Sequence, residues 1–319
     1  MYNYCQIANI ILFFIFVSSN RYETMTKYYK VAGHVFSLSL PESCTIWPRL
    51  TQYEPFEIDS PDAEPLFELE LVRDEYAPLE GGELVYDVPT EDGETVIKLW
   101  RNKDSWDFDM SPDKRIPCHS HMRSNADFSR GRLMLDTRKV SDALFGINNS
   151  LMLLFAFRTA PLGTLEMHAS MVGNSGKAFL FLARSGTGKS THSSLWLKHI
   201  PGTELMNDDN PIVRVWPDGR IIAYGSPWSG KTPCYRNVEA PVGAFVRIRR
   251  CSENKITLLG LLESYALLYS SSSGFKADKT IADGLHAALE KIVTTTACYV
   301  LDCRPDEEAA RVCAAEVLK

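Results

Sequence analysis

The chain has 319 residues, 45% of them hydrophobic and 23% charged, with a formal net charge of −6. That is enough for two domains or one large one, in a composition ordinary for a folded globular protein. The acidic balance gives no footing for nucleic acid or an anionic membrane surface, and the eight cysteines contain no C-x-x-C pair to indicate a zinc or disulfide framework.

From the start, Ile7 to Val17 is apolar and is followed by Ser18-Ser19-Asn20. It resembles a signal h-region but lacks a basic n-region, and it is too short to cross a bilayer. Met25-Thr26-Lys27-Tyr28-Tyr29-Lys30 reads as an ordinary cytosolic start. Residues 1–24 are thus either a leader or an upstream extension from a mis-assigned start codon. The need for ATP read below favours the extension, and a cytoplasmic protein with no membrane span.

Residues 25–140 read as a small β-rich domain. Phe36, Leu38 and Leu40 alternate with serines, and Phe67, Leu69 and Leu71 with glutamates. Asp92-Gly93 separates Leu84–Val88 from Val96–Trp100, a hairpin signal. Cys118-His119-Ser120-His121 has metal-ligand letters but, following Pro117, reads as a solvated loop. Ser141 to Thr159 reads as a helix capped by Ser141 and broken by Pro161-Leu162-Gly163.

The second half opens on the most informative stretch. An apolar strand, Ala178–Ala183, runs into Arg184-Ser185-Gly186-Thr187-Gly188-Lys189-Ser190-Thr191 and then a helical segment stopped by Pro201-Gly202. Strand, glycine turn and helix make a phosphate-binding P-loop, with Ala183 in place of its first glycine. Amides of Ser185 to Thr191 would hold the phosphates, Lys189 would reach the outer ones, and the Ser190 hydroxyl would sit on Mg²⁺. Gly225-Ser226-Pro227-Trp228-Ser229-Gly230-Lys231-Thr232 fits the letters better. Pro233 follows at once and no helical period comes after it, so it is not read as a phosphate loop. Its glycine hinge leaves it as a loop that delivers Lys231.

Leu205-Met206 lead to Asp208-Asp209. A phosphate site needs a carboxylate for Mg²⁺ at a neighbouring strand end, and a second carboxylate can take a proton from an attacking hydroxyl. Repulsion between the two should raise one pKa. Ile212–Val215 and Arg220–Tyr224 flank a Pro217-Asp218-Gly219 turn. Val242–Ile248 is a strand in which Arg247 and Arg249 share a face. With Lys231 and Arg236 they are candidates to neutralise a transferring phosphoryl group. Leu258–Ser270 and Thr280–Ile292 are helical in period, Cys298–Leu301 is a last strand, and Asp306–Leu318 a closing helix.

The run Ser185–Thr191 followed by Asp208-Asp209 resembles the kinase core shared by HPr kinase/phosphorylase and the ATP-dependent phosphoenolpyruvate carboxykinases. His168 before the strand, and Glu239 in Val238-Glu239-Ala240-Pro241-Val242-Gly243, extend the likeness over about residues 165–250. The resemblance implies an α/β fold in which a P-loop kinase domain, residues 141–319, follows the β-rich domain. It implies Asp208 as general base, Lys189 and His168 at the reacting phosphate, Asp209 and Glu239 with Ser190 at Mg²⁺, and a serine-type hydroxyl as acceptor. Ala240-Pro241 stands where HPr kinases carry Arg-Gly, and the carboxykinases' oxaloacetate segments are not seen. The expectation is an ATP- and Mg²⁺-dependent kinase acting on a protein serine or a small molecule, with a homo-oligomer open by analogy. A nucleotide sensor with little turnover and a carboxykinase-like enzyme are the alternatives.

Overall fold

The computed structural model describes residues 23–61, 63–72, 82–89, 95–115, 118–135, 139–230, 232–275 and 277–319. The leader-like segment, the Asp92-Gly93 turn and Lys231 lie outside these residues. The chain is mixed α/β, with two large sheets and helices.

The first sheet holds β1 (Thr24–Val31), β2 (His34–Pro41), β3 (Glu57–Ile58), β4 (Phe67–Leu71), β5 (Glu83–Pro89), β6 (Val96–Arg101), β7 (Ser105–Ser111), β8 (Ser120–Asn125) and β9 (Arg130–Leu135). Their order is β3-β1-β2-β4-β9-β8-β7-β6-β5, parallel only where β4 meets β2 and β9. The alternation is read directly into burial: Phe36, Leu38, Phe67 and Leu69 are fully buried, while Glu68 and Glu70 are exposed. Helix α1 (Val140–Thr159) covers the apolar face with Ala143, Ile147, Leu151 and Leu154. Gly146 permits the close approach, since a Cβ there would stand 2.3 Å from Ser120 Oγ. The continuous stretch Val140–Leu162 is long and apolar enough to cross a membrane, and half of its most apolar 18-residue window is buried here.

Two local expectations are corrected. Ser141 does not cap α1; Lys139 holds that position without a side-chain cap, and Ser141 Oγ donates to Asp142 instead. Cys118–His121 is not a loop throughout. His121 lies in β8 opposite Asp109 of β7, its Nδ1 2.6 Å from Asp109 Oδ1, because the polar face of a half-buried strand accepts such pairs. Cys118 Sγ donates to the carbonyls of Met110 and Ser120, and the ligand-type atoms of Asp109, Cys118 and His121 lie within 4.8 Å of one another.

The second sheet holds β10 (Thr164–Glu166), β11 (Ala169–Asn174), β12 (Lys177–Leu182), β13 (Glu204–Asp209), β14 (Ile212–Val215), β15 (Ile221–Tyr224), β16 (Glu239–Arg250), β17 (Lys255–Leu258) and β18 (Cys298–Cys303). The path runs β10-β14-β15-β16-β12-β11-β13, with β18 and β17 added beyond β16. Because β10 continues into β11 and β13 into β14, the path folds back on itself. Met167-His168 and Asn210-Pro211 form the bend, tied by the Met167 N–H to the Pro211 carbonyl at 3.0 Å.

Every residue of Ala178–Leu182 is buried, which is why the run shows no polar alternation. Ala178, Leu180 and Leu182 pack with helices α3 (Leu261–Ser271) and α4 (Lys279–Thr295), through Leu267, Leu285 and Leu289. Phe179 and Phe181 pack with α2 (Lys189–His199) and α5 (Glu307–Val317), around Trp196 and Cys313. Asp278 and Asp306 cap α4 and α5, each accepting a backbone N–H at 3.0 Å. The two sheets are joined by His34 Nε2 to Thr164 Oγ1 at 2.8 Å, by Arg214 Nη1 to the Ala32 carbonyl at 2.6 Å, and by Trp228 Nε1 to Tyr53 OH at 3.1 Å. Helix α1, expected to open the second unit, belongs by packing to the first sheet.

Candidate active site

The site forms where β12 ends and α2 begins. In the connecting turn, Gly186 and Gly188 have φ of 73° and 127°, which L side chains rarely adopt. Ala183 is not among the positive-φ residues, so its methyl group meets no backbone strain where the motif usually has glycine. Arg250, near the end of β16, donates to the carbonyls of Thr187 at 2.9 Å and Gly186 at 2.6 Å and braces the turn. The first amides of α2 open onto the same turn with the positive end of the helix dipole.

Lys189, 8% exposed, places Nζ 2.6 Å from His168 Nε2 and 3.2 Å from the Ala183 carbonyl. An ammonium group only donates, so His168 accepts at Nε2 and keeps its ring proton on Nδ1. That nitrogen lies 3.3 Å from Asp209 Oδ1. Lys189, His168 and Asp209 therefore form one connected row across the bend. Ser190 Oγ donates to Asp208 Oδ1 at 3.0 Å. Beneath them, Ser170 Oγ and Ser193 Oγ, 2.6 Å apart, fix α2 to β11.

Asp208 and Asp209 end β13, next to the end of β12, because β11 pairs antiparallel with both strands. The Asp208 carbonyl accepts from Ser229 Oγ at 2.8 Å and from the Gly230 N–H at 2.7 Å. Asp209 has φ 124°, a conformation that costs a non-glycine residue about 1–3 kcal/mol and is held by its bridges to Ala169 and Ser229. Gly230 is pressed against it: a Cβ there would stand 3.1 Å from Asp209 Cγ.

The structure brings together His168, Ser185–Thr191, Asp208 and Asp209, and it revises three placements. Ser190 pairs with Asp208 rather than with Asp209, which meets His168 instead. Neighbouring strand residues point to opposite sides, so only one carboxylate can face the serine. Glu239 is not with them. It starts β16 opposite Tyr224, while Arg247 is the β16 residue beside Leu182, so Glu239 is about 26 Å away along an extended strand. Among the basic candidates, Arg236 pairs with Glu204 at the far end of β13, and Arg249 pairs with Asp302. Arg250, which is not among them, reaches the turn. The motif-like run from Gly225 enters no helix, and its Trp228 is buried against Phe36 and Phe155.

One buried carboxyl near Asp209 escaped the sequence reading. Glu166, two positions before His168, is 1% exposed, and neither carboxylate oxygen has a hydrogen bond among the described residues. Burial first, and the neighbouring Asp209 charge second, raise its pKa from 4.5 to about 8. It is a neutral acid at pH 7. Its signal was a lone carboxylate inside the apolar segment Leu165–Met167.

Compared with protein-family models and with curated proteins, the chain has no match in either.

Proposed function

We propose that this chain is a P-loop kinase of the HPr kinase/carboxykinase type, transferring the γ-phosphoryl group of ATP to a hydroxyl acceptor. The observation that carries the reading is the row Lys189–His168–Asp209 beside the Ser190–Asp208 pair, all at one strand end under a glycine turn. A glycine turn alone serves many folds; a lysine, a serine and two carboxylates gathered on it serve phosphoryl transfer.

Ser190 Oγ and Asp208 Oδ1 are hard oxygen donors 3.0 Å apart, a set that suits Mg²⁺. When bound, that ion would neutralise charge on the β- and γ-phosphates. The chain's own residues do the rest. Turn amides and the α2 N-terminus bind phosphate oxygens. Lys189 exchanges its contact with neutral His168 for a phosphate oxygen. Asp209, free of the serine, accepts the acceptor's proton. This exchanges the roles first given to Asp208 and Asp209, on the strength of their different partners. A sensor without turnover has no use for Asp209 as a base, and nothing at the site favours that alternative.

With labelled ATP and cell extract, the wild type should label a product, and Lys189→Ala should lose both nucleotide binding and labelling. Asp209→Asn should keep binding and lose turnover. No product above the Lys189→Ala background would overturn the proposal.

A further inference from the structure

A cleft of about 130 Å³ opens at Asn210 and Ser229, next in the chain or bonded to the two aspartates, between the two halves of the molecule. Gln52 of the first half and Asn148 and Asn149 of α1 form one wall; Asn210, Trp228 and Tyr235 form the other. One link ties it to the Asp209 carboxylate and one to the backbone of Asp208. Asn210 Nδ2 donates to Asp209 Oδ2 at 3.4 Å, and Ser229, which also lines the cleft, donates to the Asp208 carbonyl at 2.8 Å.

The hydrogen-bond inventory of this lining is incomplete in a patterned way. Asn148 Oδ1 accepts from Gln52 Nε2 at 3.0 Å and from Tyr53 OH at 2.9 Å. Asn149 Nδ2 donates to the Phe145 carbonyl at 2.9 Å. That leaves the Asn148 amide nitrogen, the amide oxygens of Gln52, Asn149 and Asn210, and the Tyr235 hydroxyl without a hydrogen bond among the described residues. These are neutral donors and acceptors around aromatic surface. No Lys, Arg, Asp or Glu lines the cleft among the described residues.

We infer that this cleft seats the phosphoryl acceptor, and that the acceptor is a small, uncharged, hydroxyl-rich molecule, a sugar or a polyol. The inference rests on the kinase reading and narrows its acceptor. Hydroxyl groups both donate and accept, so they match a mixed set of amides and a phenol, with ring faces for the C–H surface. A phosphorylated or carboxylated acceptor would need a cation, and the described residues of the lining hold none. A protein serine would have to bring its flanking chain in between the two halves that wall the cleft. In the reaction, the acceptor oxygen bonds to the γ-phosphorus as that phosphorus parts from the bridging oxygen of ADP. The hydroxyl proton passes to Asp209.

The test uses the full chain with labelled ATP and, as acceptors, glycerol, inositol and free hexoses, beside cell extract split into low-mass and protein fractions. ATP binding is measured separately by calorimetry. Label should enter an uncharged low-mass compound. Asn149→Ala should raise the KM for that compound about tenfold, the worth of one hydrogen bond, while leaving the KM for ATP unchanged. Tyr235→Phe removes one hydroxyl and serves if Asn149→Ala does not fold. Label confined to protein, or ATP binding with no labelled low-mass product, overturns the acceptor inference. So does a KM unmoved by both variants. Failure to bind ATP sinks the kinase reading itself, so the two failures are distinguishable.

Discussion

Glu166 and His34 are buried groups whose titration is read most plainly from their surroundings. The carboxyl of Glu166 is held neutral, with its pKa moved from 4.5 to about 8 by burial and by Asp209. The unfolded chain gives up that proton near pH 4.5, the folded chain only near pH 8, so between these values the unfolded state holds fewer protons. Stability therefore falls as pH rises through that window, by as much as ~1.4 kcal/mol per pH unit for one group. Glu166→Gln should remove this slope and raise stability at pH 8, as measured by denaturant melts across pH. A slope unchanged by the substitution would show that another group carries it. His34 works in the opposite direction. Burial first, and Arg214 second, lower its pKa from 6.5 to about 3. The unfolded chain takes up a proton below pH 6.5 that the folded chain refuses, so stability is lost as pH falls toward 3. His34→Gln, which keeps a hydrogen-bonding group for Thr164 but cannot be charged, should flatten that acid limb.

At the scale of elements, α2 is the piece on which the site depends, since it carries Lys189 and Ser190. Its own sequence is a weak helix former, rich in serine and threonine, so packing must hold it. Trp196 supplies that packing. It is fully buried, with ring centroids 5.5 Å from Phe179 and 5.4 Å from Phe181 on β12, and its Nε1 donates to His192 Nε2 at 3.1 Å. Trp196→Ala should cost about 3–5 kcal/mol in chemical denaturation, and should weaken ATP binding more than a surface change on the same helix, such as Lys198→Ala. Equal effects of the two substitutions would mean that the turn, with Arg250, is sufficient without a fixed helix. The long β16 does double service: its first residues pair with β15 and its later ones with β12 and β18, which carries Arg250 to the turn and leaves Glu239 remote.

In the whole molecule, the first sheet is more than an appendage. Helix α1 packs on it, Trp228 of the second half enters its core, and Gln52 with α1 walls the cleft at Asn210 and Ser229. The sequence by itself determined what depends on neighbours along the chain. Alternation gave most strands, periodicity and stop signals gave the helices, and the order of strand, glycine turn, lysine, serine and paired carboxylates picked out the residues that meet. It could not say which carboxylate faces which partner, because that follows from the bend at His168 and Pro211, where the β11–β13 pair passes into the β10–β14 pair. It placed Glu239 at the site by likeness of a short segment, and β16 is too long for that, since Glu239 pairs with β15 while Arg247 lies beside the end of β12. It missed Glu166, because a carboxylate becomes a neutral acid only when distant chain buries it. It offered no acceptor pocket, because Gln52, Asn149 and Asn210 become one lining only when the two sheets close on each other.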